Sequence, residues 1–330
     1  MTLDRRSFLA WLGAGLGGAA LLPGRSFGNN GSTGHAAQQS AVLVDVSRCV
    51  GCRGCEAACS EVNELPPPEG TGGRTIFESR REMGTNAFTV VNRFVVEPAA
   101  GPRGAAREIY VKKQCMHCLD PACASACPVR ALRKSPEGAV IYDEALCIGC
   151  RYCMVACPFG VPKYEYESRV PRVRKCTFCQ PRLRQGKRPA CVEACPSMAL
   201  SFGTRAAMLE EARRRAAKRP PGSTFTLYGE HEAGGTSWLY LTPCEPKLLG
   251  LGQVRKASYA AFTRPAMAAL PAIILAGPPL LVGIRAFARR RKAVSRAADV
   301  STSADTGSAD AKAADNQQDT LSQEKGADRE

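Results

Sequence analysis

The chain has 330 residues, of which 45% are hydrophobic, so it is long enough to bury one sizeable core with further segments around it. Disulfide-rich exported scaffolds are short chains, which excludes that class as the reason for 17 cysteines. The formal net charge of +15 comes largely from the two termini and from residues beside the cysteines. Because basic and aromatic residues do not interleave as in single-strand binders, the sequence predicts no nucleic-acid partner.

The N-terminus has the features of an export signal. Arg5 and Arg6 are followed by Ser-Phe-Leu and then by a weakly apolar run rich in Gly and Ala, residues 10–22. A twin-arginine pair before such a run is typical of a Tat signal peptide. The sequence therefore predicts a signal peptide over residues 1–36, exported in the folded, cofactor-loaded state.

Sixteen of the cysteines form four groups with nearly the same internal spacing. Group one is Cys49, Cys52, Cys55, Cys59; group two is Cys115, Cys118, Cys123, Cys127; group three is Cys147, Cys150, Cys153, Cys157; group four is Cys176, Cys179, Cys191, Cys195. Groups one and three read C-x2-C-x2-C-x3-C, the ferredoxin run whose fourth cysteine ligates a second 4Fe–4S cluster. Groups two and four keep the ends of that pattern. At four thiolates per cluster, the sequence predicts that these cysteines bind iron in four 4Fe–4S clusters.

Two other uses of the cysteines explain the spacing less well. Structural zinc favours paired C-x2-C knuckles, to which a third cysteine two residues later is surplus. Disulfide spacing has no reason to repeat four times. Cys244 stands apart from the groups and is expected to be a spare thiol. His117 lies between two cysteines of group two, where it can tune a cluster by hydrogen bonding but is not expected to be a ligand.

The segments around the cysteine groups predict an α+β body over residues 41–245. The expected strands are Ala41–Val46, Thr89–Val96, Glu108–Lys112 and Ala139–Tyr142, and a helix is expected from Thr204 to about Lys218. Residues 60–114 form an insertion between groups one and two. The order of strand, cysteine loop and short helix occurs repeatedly, and this repetition indicates tandem ferredoxin-like halves. Basic residues that precede the cysteine loops can offset cluster charge: Lys112, Lys113, Arg172, Arg174 and Lys175.

The C-terminal part predicts a membrane anchor. A linker, 246–264, is followed by residues 265–284, which carry no charge. This uncharged segment is just long enough for a transmembrane helix. A buried or interfacial hairpin is the alternative. The basic cluster that follows, 285–296, marks the cytoplasmic side, so the body would lie outside the cytoplasm. Beyond Ala297 the chain lacks large apolar residues and is expected to form a disordered, cytoplasmic tail.

The cysteine motifs resemble a known family. Cys-Val-Gly-Cys-Arg-Gly-Cys-Glu-Ala-Ala-Cys, Cys-Met-His-Cys-Leu-Asp-Pro-Ala-Cys-Ala-Ser-Ala-Cys-Pro, Cys-Ile-Gly-Cys-Arg-Tyr-Cys-Met-Val-Ala-Cys-Pro and Cys-Thr-Phe-Cys occur in this order within residues 41–203. In this they are similar to the four-cluster iron–sulfur subunits of membrane respiratory complexes, such as formate dehydrogenase, nitrate reductase and dimethyl sulfoxide reductase. A Tat signal combined with one C-terminal anchor looks most like the electron-transfer subunit of periplasm-facing uptake hydrogenases.

The resemblance implies crossed ligation, in which each cluster takes its fourth cysteine from another group. The implied ligand sets are set one, Cys49, Cys52, Cys55 and Cys195; set two, Cys115, Cys118, Cys123 and Cys157; set three, Cys127, Cys147, Cys150 and Cys153; set four, Cys59, Cys176, Cys179 and Cys191. The spacing alone supports the crossing but leaves the partner assignment open.

The resemblance also implies a function. The chain would pass electrons from a periplasmic catalytic subunit, a hydrogenase or alternatively a formate dehydrogenase or other molybdopterin enzyme, to a quinone-reactive subunit in the lipid bilayer. It would reside on the periplasmic side of the bacterial inner membrane. No substrate site is evident in the sequence, so a non-catalytic role is expected. Two further hypotheses are an enzyme with an open cluster iron, against which the full cysteine groups argue, and a maturation ferredoxin, against which the anchor argues.

Overall fold

The computed structural model describes residues 33–70, 74–97, 106–219 and 225–324. The predicted Tat pair, Arg5 and Arg6, lies outside them. The helices in these ranges are α1 Thr33–Gln38, α2 Gly54–Val62, α3 Ala122–Ser125, α4 Tyr152–Ala156, α5 Gln180–Arg184, α6 Ala190–Glu193, α7 Arg205–Ala217 and α8 Ala260–Glu324. The strands are β1 Ser40–Asp45, β2 Val90–Val96, β3 Arg107–Lys113, β4 Leu132–Lys134, β5 Val140–Tyr142, β6 Lys163–Tyr164, β7 Val173–Arg174, β8 Leu200–Thr204, β9 Thr226–Tyr228 and β10 Trp238–Thr242.

A four-stranded sheet with strand order β8-β1-β10-β9 forms the centre of the first unit, which ends at Thr263. β1 pairs antiparallel with β8, where Val42 lies opposite Phe202, and parallel with β10, where Val42 lies opposite Trp238. Four of the six residues of β1 and four of the five of β10 are apolar because both faces of the sheet are covered.

The two faces of this sheet serve different purposes. On one face, Leu43 and Leu239 pack against Met208 and Ala212 of α7. The Thr204 hydroxyl caps α7 by accepting a hydrogen bond from the Ala207 N–H. On the other face, the alternate residues of β1 and β10 join the main core, which also contains cysteines of groups one and four. The sheet therefore separates a supporting helix from the cysteine-bearing loops.

Three antiparallel pairs, β2–β3, β4–β5 and β6–β7, complete the strands of the described ranges. Together with the helices they confirm the predicted mixture of helix and sheet, and the strands and the helix expected from the sequence are present within one or two residues of the predicted bounds. α2 packs against α6, and α3 packs against α4. The division into tandem ferredoxin-like halves remains a prediction.

The predicted linker, 246–264, is instead part of the first unit as far as Thr263. Leu249 and Leu251 are buried in the main core, and the Tyr228 hydroxyl donates a hydrogen bond to the Gly252 carbonyl. Burial of two leucines makes this segment an extension of the body. The body therefore ends later than residue 245.

Helix α8 extends from Ala260 to Glu324 and supplies the second unit. Its stretch Ala260–Arg296 has a mean hydropathy of 2.0 in an 18-residue window and is long and apolar enough to cross a membrane. This stretch contains the predicted span, 265–284. The helix continues beyond Ala297, where the sequence predicts a disordered tail. The segment is helical although it has few large apolar residues.

A buried carboxylate fixes the end of β1. Asp45 is 0% exposed, and Nη2 of Arg219 lies 3.1 Å from each of its carboxylate oxygens. Nε of Arg48 and Nη1 of Arg215 lie 3.3 Å and 3.6 Å from Oδ2. The network joins the strand that leads into group one to the C-terminal part of α7.

We expect Asp45→Asn to cost about 2 kcal/mol of stability, because it removes charge-assisted hydrogen bonds from a buried site. The measurement is the Tm of the cluster-loaded protein. Glu245→Gln, which breaks an exposed pair with Lys247, is the control and should cost less than about 0.5 kcal/mol. Equal Tm shifts in the two variants would show that the Asp45 network stabilises no more than a surface pair.

Candidate iron–sulfur centres

Groups one and three fold into the same loop. Gly51 and Gly149 have φ of +71° and +69°, and Arg53 and Arg151, two residues later, have φ of +60° and +58°. This left-handed geometry is easiest for glycine and curls the chain tightly between the first and third cysteines. A short helix, α2 or α4, then begins and carries the third cysteine.

Groups two and four share a second loop shape. His117 and Phe178 occupy equivalent places in Cys-Met-His-Cys and Cys-Thr-Phe-Cys, with φ of +47° and +58°. Both side chains are buried, and their rings stack with centroids 4.7 Å apart. The loops of groups two and four therefore meet at this pair of rings.

The cysteines of set one line a single cavity. Cys49, Cys52, Cys55 and Cys195 all contribute to its wall. The strands explain why residues so distant in the chain meet. β1 leads into group one, β8 leaves group four, and their antiparallel pairing places Val44 opposite Leu200 at the end of the sheet near both groups.

The cysteines of set four are neighbours across α2 and α6. Burial raises the pKa of Cys59 to about 12, and the thiolates of Cys191 and Cys179 add to the rise. Burial also raises the pKa of Cys176, and Cys59 makes the largest charge contribution there. A thiolate raises the pKa of another thiol only when the two are close, so these four side chains lie near one another.

The cysteines of set two are also mutual neighbours. Burial raises the pKa of Cys118 and that of Cys123, and in both cases the thiolates of Cys115 and Cys157 raise it further. Cys157 directly follows α4, and α4 packs against α3, the helix that carries Cys123.

The cysteines of set three converge through the β4–β5 hairpin. β4 follows Cys127 and β5 precedes Cys147, and Leu132 lies opposite Tyr142 in the pair. Burial raises the pKa of Cys153 to about 11, and the thiolates of Cys150, Cys127 and Cys147 add to the rise.

Neighbouring sets approach one another closely enough for a thiolate of one set to act on a thiol of the next. In each pair, burial is the main cause of the raised pKa of the first cysteine, and the thiolate of the second, from another set, adds to it. The pairs are Cys55 with Cys191, Cys176 with Cys115, and Cys123 with Cys153. Set one therefore adjoins set four, set four adjoins set two, and set two adjoins set three.

The chemistry of these side chains fits 4Fe–4S clusters. All seventeen cysteines are free thiols. Within the described ranges, no three His, Cys, Asp or Glu side chains converge as a single bound metal ion requires. A cubane cluster spreads its thiolates over four irons, so its ligands stand farther apart than those of one zinc ion.

Lysines among the sets supply positive charge. Lys112 and Lys175 are buried, as suits the predicted role of offsetting cluster charge. Lys134 was not predicted from the sequence, because it reaches the site from β4 with no local signal. Its Nζ donates to the carbonyls of His117 and Cys118, at 2.9 Å and 2.8 Å, and burial lowers the pKa of this lysine to about 8.

His117, which is buried, and Cys244, which is half-buried, are the two other residues that the sequence singled out. His117 Nδ1 accepts a hydrogen bond of 2.8 Å from the Val140 N–H, and burial holds the pKa of His117 well below its usual value. The imidazole is therefore neutral and packs between loops. Cys244 packs against the main core, and the charged groups that act on its thiol are Arg107 and Glu245.

Comparisons with known proteins bear on this arrangement. A family described as a 4Fe–4S dicluster domain matches residues 106–205. The Hydrogenase-2 operon protein HybA of Escherichia coli O157:H7 is 36% identical over 325 residues, which cover 85% of this chain and 95% of HybA. The chain belongs to this family of iron–sulfur subunits.

Other members are similar over shorter lengths. The iron–sulfur subunit of the nitrate-inducible formate dehydrogenase of Escherichia coli K12 is 35% identical over 63% of this chain and 74% of its own. The probable anaerobic dimethyl sulfoxide reductase chain YnfG of the same strain is 38% identical over 54% of this chain and 77% of its own. These matches confirm the predicted resemblance and identify an iron–sulfur electron-transfer subunit.

The glycine of the first loop provides a test of the site in this iron–sulfur subunit. A Cβ atom at Gly51 would lie 2.5 Å from Cδ1 of the Tyr110 ring, which packs edge-to-face on Phe77. At Gly186, φ is also positive, at +73°, but no heavy atom lies within 4 Å of the added Cβ. An alanine at residue 51 would therefore meet both a steric clash and backbone strain, whereas an alanine at residue 186 would meet backbone strain alone.

We expect Gly51→Ala to lose about four irons per chain, the content of one cluster. Gly186→Ala should keep its full iron content and cost about 1 kcal/mol of backbone strain. Iron analysis of the anaerobically purified variants makes the comparison. Full iron content in Gly51→Ala would mean that the loop does not depend on this close approach.

Proposed function

We propose that sets one to four each hold one 4Fe–4S cluster and that the subunit passes electrons between a catalytic subunit and a membrane partner. The observation that carries the proposal is that the four cysteines of set one line one cavity, while cysteines within each of the other sets lie close enough to raise one another's pKa. When bound, such clusters supply one-electron redox chemistry. The role of the chain is to hold the four sets in sequence and to present the two ends to partners.

Sets one and three, at the ends of the row, each bring a cysteine to the surface. Cys52 and Cys150 are exposed, and beside them Val50 and Ile148 are 62% and 63% exposed. Exposed apolar side chains next to a redox site suit protein docking. The proposal therefore assigns a docking surface to each end of the row.

The last residues of the first unit, which precede the predicted span, 265–284, in the chain, support an assignment of the membrane end. Ser258 Oγ donates a hydrogen bond of 2.6 Å to Asp120 Oδ2, and the hydroxyls of Thr263 and Ser125 are also hydrogen-bonded. Asp120 and Ser125 belong to the loop of group two, whose set adjoins set three. We therefore assign set three to the membrane partner and set one to the catalytic subunit.

A hydrogenase is the proposed catalytic partner, because the similarity to HybA extends over nearly all of that protein. A formate dehydrogenase or another molybdopterin enzyme is the alternative, supported by the shorter matches. The predicted Tat signal and the basic residues after the apolar stretch support a location on the periplasmic side of the inner membrane, with residues 285–330 in the cytoplasm.

The cluster count can be measured directly. We expect about sixteen irons and sixteen acid-labile sulfides per chain, from four clusters of four. Cys244→Ser should keep this content, since Cys244 lies outside the sets, whereas Cys179→Ser should lose iron from set four. About twelve irons together with zinc, or iron loss in Cys244→Ser, would contradict the ligand sets.

The anchor can be tested by truncation after Thr263, the boundary of the first unit. The product should be soluble and keep its clusters, because every ligand precedes residue 200. Substrate oxidation with a soluble acceptor should persist, while quinone reduction falls. Truncation after Ala297, which spares the apolar stretch, should leave both reactions and membrane attachment intact. Loss of clusters on truncation after Thr263 would show that the helix belongs to the folded core.

A further inference from the structure

Lys112 places an ammonium group in the interior of the first unit. The residue lies on β3 and is 3% exposed. Its Nζ donates hydrogen bonds to Thr89 Oγ1 at 2.7 Å and Gln114 Oε1 at 2.9 Å, and it lies 4.6 Å from the centroid of the Trp238 ring. All three partners are electrically neutral.

A buried ammonium group normally has a carboxylate partner, because an isolated charge is costly to remove from water. Within the described ranges, Lys112 takes part in none of the fifteen ion pairs, although arginines form most of them. The thiolates around it are therefore the negative groups that can balance this charge.

The cation lies where sets one and four meet. It lines the same cavity as the four cysteines of set one. Thr89, which accepts its hydrogen bond, lines a second cavity together with Cys59 of set four. The charge of Lys112 also opposes the rise in pKa that burial causes at three cysteines of set four, Cys59, Cys176 and Cys179. At Cys118 and Cys123 of set two, the opposing cations are instead Lys134 and Lys175.

We propose that Lys112 is a positioning residue for electron transfer, whose fixed charge raises the reduction potentials of the centres held by sets one and four. The inference rests on the proposed function. Electron uptake adds one negative charge to a centre, and a positive charge held nearby in a medium of low dielectric favours that change. Net charge and hydrogen bonding are known to set cluster potentials. The two centres on the side of the catalytic subunit thus accept electrons more readily than they would without the lysine.

The test compares two neighbouring lysines on one strand. Lys112→Met removes the charge and keeps most of the side-chain length. Lys113→Met is the matched control. The sequence suggested that Lys113 also offsets cluster charge, but residue 113 points to the opposite side of β3 from Lys112 and is only half-buried. Iron and sulfide are counted first on the anaerobically purified full chain. Midpoint potentials are then measured by EPR-monitored titration with mediators and a chemical reductant.

In Lys112→Met we expect the equilibrium constant for reduction to fall at least tenfold at two of the four centres. For a one-electron step this lowers each midpoint potential by about 59 mV or more. The other two potentials, and all four in Lys113→Met, should stay at the wild-type values. Lys112→Arg keeps the positive charge and should also stay near the wild type.

Unchanged potentials in a Lys112→Met protein with four clusters would overturn the inference. An equal fall of the potentials in Lys112→Arg would also overturn it, because side-chain packing and not charge would then be the cause. If Lys112→Met does not retain four clusters, Thr89→Asp replaces it. That variant keeps the lysine and cancels its charge with a carboxylate at the position of the Thr89 hydroxyl. Unchanged potentials in Thr89→Asp would likewise overturn the inference. A wild-type chain with fewer than four clusters would instead refute the proposed function.

Discussion

Each proposed cluster takes its fourth thiol from a group that is distant in the chain, and the fold has to bring these segments together. The antiparallel pairing of β1 with β8 directs groups one and four to the same end of the central sheet. The β4–β5 hairpin does the same for Cys127 and Cys147. The packing of α2 on α6 and of α3 on α4 follows from this arrangement. Short strands suffice because most of the stability of such a site comes from metal–ligand bonds.

Burial of so many thiols has an energetic consequence. Desolvation raises the pKa of at least one cysteine in every set, including Cys59 and Cys153, so that these free thiols hold their protons at neutral pH. Binding of iron requires thiolates and therefore releases these protons, which couples cluster insertion to folding. The buried lysines make the thiolate form less costly. Cluster insertion that is coupled to folding agrees with the predicted Tat signal, because that export route carries folded proteins.

The sequence was most informative where chemistry imposes fixed spacing. The four cysteine groups, the strands that lead into them and helix α7 could all be predicted from local patterns. Features that depend on distant contacts could not. Leu249 and Leu251 pack into the core although their segment reads as a linker, and Lys134 reaches group two from a neighbouring hairpin. The disordered tail expected beyond Ala297 was inferred from low hydrophobicity, which indicates the absence of a core but does not define the backbone conformation.

Anomalous scattering at the iron edge, from crystals of the anaerobically prepared protein, would test the central claim most directly. The account predicts four cubane iron centres in one row, in the order of sets one, four, two and three. Each centre should be bound by the four cysteines of its own set, and Cys244 should be unliganded. Fewer than four iron centres, or a centre whose fourth ligand comes from its own cysteine group, would contradict the account.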